Sequence, residues 1–130
     1  MAIIISHTAI IDKQGRMLVL RRSVSEKVLP CFWDLPGGTV KLKEDPTAGA
    51  IREVKEECGL KVNGLRLLAC TSNWDRKKQE NFVTLIFITK KYSGRIKLNH
   101  RDHEEYAWLT KKELKTIKAV EYFQKILKLL

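Results

Sequence analysis

Between Asp45 and Gly59 the sequence changes period. Before it, apolar residues come in short β-branched runs; from Asp45 they fall at Ala50, Ile51, Val54 and Cys58, the spacing of one helix face. Asp45 suits the N-cap, where its carboxylate can accept from the first unpaired backbone N–H groups. Pro46 fits the first helical position, which has no use for an N–H, and Gly59 fits the C′ position. The expected helix runs about Pro46 to Cys58. A single bounded helix in mid-chain, with strand-like runs on both sides, restricts the fold more than any other feature.

Those runs are Ile3 to Ile11, Met17 to Leu20, Phe32 to Leu35, Leu65 to Thr71, Phe82 to Thr89 and Tyr106 to Leu109. Asp12-Lys13-Gln14-Gly15 supplies turn chemistry between the first two, so a hairpin is expected there, and Pro36-Gly37-Gly38 ends the third. Ala119, Val120, Phe123, Ile126, Leu127 and Leu130 recur at helical spacing, which predicts an amphipathic terminal helix. Strands around one helix and a second helix at the end give an α/β fold, a mixed sheet packed between helices. At 130 residues, with no repeat or linker-like tract, the chain is expected to be one domain, 1–130.

Composition excludes several classes. Cys31, Cys58 and Cys70 are odd in number and form no CxxC pair, so neither a disulfide framework nor a zinc site is expected, and a reducing, cytoplasmic setting fits. No apolar run approaches the roughly 18 residues of a membrane span. The 25 Lys and Arg against 15 Asp and Glu give a net charge of +10, which calls for an anionic partner: nucleic acid, nucleotide, phosphate or anionic membrane. The excess lies after residue 60, whereas residues 38–60 are locally acidic.

Within that acidic stretch Glu53, Glu56 and Glu57 stand at i, i+3 and i+4, so three carboxylates crowd one side of the expected helix. Each close like-charge pair there costs about 0.2–0.5 kcal/mol unless neutralised. A solvated face with Arg52 and Lys55 as partners would account for a lone Glu-Glu pair. A divalent cation with hard oxygen ligands, Mg²⁺ or Mn²⁺, would account for three, and Pro36-Gly37-Gly38 would let backbone approach a phosphate-bearing ligand.

Read together, Gly38, Glu44, Arg52-Glu53-Val54-Lys55-Glu56-Glu57 and Gly59-Leu60 reproduce the pattern G-x5-E-x7-R-E-U-x-E-E-x-G-U, with U aliphatic. Over residues 38–60 the chain therefore resembles the Nudix hydrolases, and Phe32 to Gly38 is similar to the W-x-x-P-G-G that commonly precedes their box. The resemblance implies an α/β/α sandwich with the mixed sheet between helices, and Mg²⁺-dependent hydrolysis of a nucleoside diphosphate linked to another group. It implies that Glu53, Glu56, Glu57 and the Gly38 carbonyl hold the metal, that Arg52 orients Glu53, and that Glu44 holds the loop first and serves the metal second. Glu53 is one candidate base. Because His103-Glu104-Glu105-Tyr106-Ala107-Trp108 is similar to a family stretch that supplies a late glutamate, Glu105 is another, with Glu104 its rival.

For substrate, the resemblance points to Arg22 at the end of the second strand, with Gly37, Gly38 and Lys41 near the phosphates and Trp33 either stacking on a base or packing on the sheet. Arg21 alternates to the other face and is expected in solvent; Trp108 is expected in the core. The proline or tyrosine that often follows the box in ADP-ribose or dinucleoside polyphosphate hydrolases is missing from Trp74-Asp75-Arg76-Lys77-Lys78. Size and simplicity then indicate the MutT-like group, hydrolysing a nucleoside triphosphate, oxidised or not, to monophosphate and pyrophosphate. A nucleotide sugar, a dinucleoside polyphosphate or an RNA 5′ end is the alternative substrate. A basic, non-catalytic RNA-binding module is disfavoured, since it would not need three clustered carboxylates. The resemblance is compatible with a monomer or a homodimer.

Overall fold

The structure, a computed structural model, describes residues 2–130. Its elements in chain order are β1 (Ala2–Ile10), β2 (Met17–Arg22), β3 (Trp33–Asp34), β4 (Gly37–Thr39), α1 (Pro46–Cys58), β5 (Lys61–Asn63), β6 (Arg66–Asp75), β7 (Glu80–Thr89), β8 (Lys91–Ser93), β9 (His103–Leu109), α2 (Lys111–Leu114) and α3 (Phe123–Leu127). They form a four-stranded sheet in the order β4-β1-β7-β6, a three-stranded sheet β3-β2-β9 and a β5-β8 ribbon. β1 runs parallel to β7 and antiparallel to β4, so the larger sheet is mixed.

Strands β1 and β2 are apolar at consecutive positions because both of their faces are covered. Ala9, Met17 and Val19 face one way and pack with Leu114, Phe123, Ile126 and Leu127. Ile10, Leu18 and Leu20 face the other way and pack with Val54 and Cys58 of α1. Helices thus cover opposite faces, giving the three-layer α/β/α arrangement.

α1 has the expected bounds and caps. Asp45 Oδ2 accepts from the Thr47 and Ala48 N–H groups at 3.1 and 3.2 Å, and Gly59 closes the helix in the left-handed conformation, φ +79°. Two further carbonyls at this end are satisfied from afar: Lys97 N–H donates to Cys58 O at 2.8 Å and Asn99 N–H to Glu57 O at 3.0 Å. These bonds lay the 95–102 loop along the end of α1.

Two expectations need correction. β1 and β2 are not a paired hairpin. The 12–15 turn forms, with Asp12 N–H donating to Arg16 O at 2.9 Å, but beyond the Ile11–Met17 bridge the strands part into different sheets. A strand has two edges; β4 and β7 occupy those of β1, and β3 and β9 those of β2. The terminal helix is also shorter than its apolar spacing predicts, Phe123–Leu127. Trp33 N–H donates to Lys118 O and Val120 N–H to Trp33 O, at 2.8 and 3.0 Å, so residues 118–120 extend along β3 and cover its edge. Among the described residues no helix is long and apolar enough to cross a membrane.

Candidate active site

A cleft of about 550 Å³ opens beside β4, against the side of α1 that carries Glu53 and Glu57. Gly38 brings the two elements together: a Cβ there would lie 2.5 Å from the Glu53 carboxyl carbon. Arg52 organises the acidic face. Its Nε and Nη2 donate to the two oxygens of Glu44 at 2.8 and 2.9 Å, and Nη1 donates to Glu53 and Glu56 at 3.0 and 3.1 Å. The guanidinium holds the Glu44 carboxyl down to about 2. Glu44 in turn accepts from the Lys41 N–H at 2.9 Å, which fixes the loop before α1.

Glu57 has the opposite environment. The residue is half-buried, its Oε2 is out of solvent and accepts no hydrogen bond, and burial with Asp34 and Glu53 nearby pushes its carboxyl up to about 9. Asp34, Asp102 and Glu26 line the same cleft, with Arg22 as its one Lys or Arg side chain among the described residues. Asp34 is a hub: Arg22 Nη1 donates to its Oδ2 at 3.3 Å and the Tyr122 hydroxyl to its Oδ1 at 3.1 Å, while that hydroxyl accepts from the Leu35 N–H at 3.2 Å. Arg22 also donates to Glu26 at 3.1 Å and to the Val28 carbonyl at 3.0 Å. Burial and Asp34 raise the Tyr122 hydroxyl well above its ordinary range, so it remains a donor.

The structure brings Glu53, Glu57, Gly37, Gly38 and Arg22 to one cleft. It does not bring the others. Glu56 leans outward onto Arg52, its side chain 54% exposed. Lys41 is exposed in the loop, and Trp33, the β3 partner of Arg21 in register, lies half-buried against the core. Glu105 sits 3.6 Å from Arg21 Nε, and Glu104 3.5 Å from Arg21 Nη2, so Arg21 is ion-paired and not free in solvent. The cause is a bulge: the β2–β9 register passes from Arg21–Glu105 to Arg22–His103, skipping Glu104. That slip places His103, not a glutamate, beside Glu57. Trp108 is half-buried and stacks on Tyr92, ring centroids 5.3 Å apart.

No sequence motif marks Asp34, Tyr122, Asp102 or Glu26 as site residues, and the same holds for His7, whose Nδ1 lies 3.0 Å from Leu35 O in this cleft. A signal for Asp34 exists: it is the one charge in the apolar run Phe32 to Leu35.

The NUDIX domain model matches residues 4–130. This chain belongs to the NUDIX family. A MutT-like protein of Streptomyces ambofaciens is 31% identical over 118 residues, covering 91% of this chain and 70% of that one. A protein of Methanocaldococcus jannaschii named ADP-ribose pyrophosphatase is 33% identical over 88 residues, 68% of this chain; the match spans about half, 51%, of that relative's length. The solved MutT NUDIX hydrolase of Burkholderia pseudomallei superposes with a TM-score of 0.88 at 23% identity, over 100% of this chain and 98% of that one, and shares the fold. The chain is a MutT-like Nudix hydrolase, an enzyme of phosphoanhydride bonds.

Nudix hydrolases generally use divalent metal ions, and the residues of this cleft fit one. The donor set is hard oxygen, one buried carboxylate oxygen lacks a partner, and the Gly38 backbone stands against Glu53. Among the described residues no three His, Cys, Asp or Glu side chains close into a cage by themselves.

Proposed function

We propose that this chain is a Mg²⁺-dependent pyrophosphohydrolase, with Mn²⁺ able to substitute, that cleaves a nucleoside triphosphate, ordinary or modified, to the monophosphate and pyrophosphate. The charge of the cleft supports this reading. Glu26, Asp34, Glu53 and Asp102 line it beside Glu57, with Arg22 as the one Lys or Arg among the described residues, and a cation placed between these carboxylates and a polyphosphate would offset their repulsion. Glu53, Glu57 and the Gly38 carbonyl would hold Mg²⁺, with Glu56 joining them only by turning from Arg52, and the ion would supply neutralisation of phosphate oxygens and a more acidic water.

The chain's own groups do the rest. Arg22, aimed by Asp34 and Glu26, pairs with a phosphate oxygen, and Gly37 and Gly38 leave room for it. Glu53, held by Arg52, accepts the proton of the attacking water; Glu105, turned toward Arg21, is the alternative acceptor. Trp33 and Lys41 serve as packing and loop residues. The MutT-like relative and the missing post-box proline support a triphosphate, and the Methanocaldococcus relative's name makes ADP-ribose the second reading. Incubating the protein with nucleoside triphosphates, ADP-ribose and dinucleoside polyphosphates, with Mg²⁺ or Mn²⁺, tests both. Pyrophosphate without free phosphate from a triphosphate is expected; no phosphoanhydride cleavage with either metal would overturn the reading.

A further inference from the structure

A second cleft, about 720 Å³, lies elsewhere and shares no lining residue with the one just described. The 12–15 turn, the Lys90–Ile96 segment and the exposed part of β9 form it. Its charge is the reverse of the first cleft's. Lys13, Lys90 and Arg95 line it, and no carboxylate lies within ion-pairing distance of any of them among the described residues. The one acid present, Asp12, is already held by Arg16 at 2.8 Å and by backbone N–H groups of Gln14 and Arg16.

Its floor is aromatic. Tyr106 and Trp108 alternate onto the same face of β9, Trp108 stacks on Tyr92, and Tyr106 is 47% exposed. Three cations without a carboxylate partner beside an exposed tyrosine ring present the two chemistries that a flat, anionic ligand would complete. A nucleotide is such a ligand, its base on the ring and its phosphates among the cations. The volume is that of a small-molecule site. We propose that this cleft is a second nucleotide-binding site, distinct from the catalytic one, with the base on Tyr106 and the phosphates on Lys13, Lys90 and Arg95, and that it binds without metal.

Metal independence separates it from the acidic cleft, where a cation would offset the repulsion between carboxylates and phosphates. The test is titration of the full chain in EDTA with adenylyl imidodiphosphate, a non-hydrolysable triphosphate. Binding is expected, unchanged in the Glu53→Gln/Glu57→Gln variant, and weakened about tenfold or more in Lys13→Glu/Arg95→Glu and by raised salt. Tyr106→Ala should weaken it about fivefold or more, while Tyr106→Phe retains it. Tripolyphosphate should bind more weakly than the nucleotide. A single-stranded adenylate hexamer distinguishes the sources of the same chemistry: affinity at least tenfold above the mononucleotide's points to a nucleotide within RNA, and comparable affinity to a free one. No binding in EDTA, binding lost with the two glutamates, or binding indifferent to both the charge reversals and Tyr106→Ala would overturn the proposal.

Discussion

Glu57 Oε2 and His103 Nδ1 lie 3.1 Å apart, both buried, in an orientation that makes no hydrogen bond. The loop bonded to the end of α1 carries His103 there, and the bulge in β9 turns it inward. Neither group can relieve the other fully: burial lowers the tendency of His103 to take a proton while Glu57 resists losing one.

Stability without metal should therefore fall with rising pH. Glu57, at about 9 when folded against 4.5 as its ordinary value, binds more protons folded than unfolded between these limits. Its contribution is complete below 4.5 and is lost as pH rises toward 9. His103, shifted downward, contributes in the opposite sense and only below its ordinary value near 6.5. Between pH 7 and 9 the Glu57 slope dominates, with the Cys58 thiol, pushed up to about 11 by burial, adding in the same sense only as pH nears its ordinary 9.0, and Tm in EDTA should drop on the order of 5 °C. Mg²⁺ should flatten that slope, and Glu57→Gln should abolish it. Equal slopes in wild type and Glu57→Gln would refute the assignment.

The two glycines of β4 should fail differently. A Cβ on Gly38 meets the far end of the Glu53 side chain, which can swing away, so Gly38→Ala should fold while losing Mn²⁺ affinity and turnover. A Cβ on Gly37 collides with the Ser6 backbone carbonyl inside the β1–β4 pairing, which cannot yield. Gly37→Ala should lower Tm well beyond Gly38→Ala, and thermal melts beside a Mn²⁺ titration separate the two. Similar melting with similar metal affinity would contradict this account.

Much of this was legible in the sequence where the determinants are local. Asp45, Pro46 and Gly59 bound α1 because capping is satisfied within a few residues, and the carboxylate spacing on that helix carries the family resemblance. What depends on strand edges was not. Ala119 and Val120 read as helix by period, yet β3 needed a cover for its edge. The Asp34–Tyr122 bond joins residues 88 apart, and no local pattern announces it. The bulge that exchanges His103 for Glu104 shifts register by one residue, which the stretch His103 to Trp108 does not encode.

Arg52 holds Glu44 through a two-pronged contact while reaching Glu53, Glu56 and the Thr39 carbonyl, the last at 3.2 Å. A lysine offers one point charge in place of that fork. Arg52→Lys should weaken Mn²⁺ binding about 10- to 100-fold, as for other residues that orient ligands, with the fold retained by circular dichroism. Glu44 is held down to about 2 and stays ionised throughout any assay range, so Glu44→Gln tests its charge directly and should reproduce part of the loss. Undiminished metal affinity in Arg52→Lys would remove Arg52 from the orienting role.

The choice of base can be settled by paired variants. Glu53 lines the cleft and receives a hydrogen bond from Arg52 at 3.0 Å, whereas Glu105 is half-exposed against Arg21 on the far side of the bulge. General-base catalysis contributes about 10²–10⁴-fold, so the residue that accepts the proton should show a loss of that size in kcat. Glu53→Gln is expected to show it together with weaker Mn²⁺ binding, and Glu105→Gln to keep kcat within about twofold, since an exposed ion pair contributes little. The pH profile supplies the second readout, because losing the base removes the acidic limb of kcat in that variant alone. A large kcat loss in Glu105→Gln with Mn²⁺ affinity intact would transfer the role to Glu105 and require the start of β9 to turn over the cleft when substrate binds.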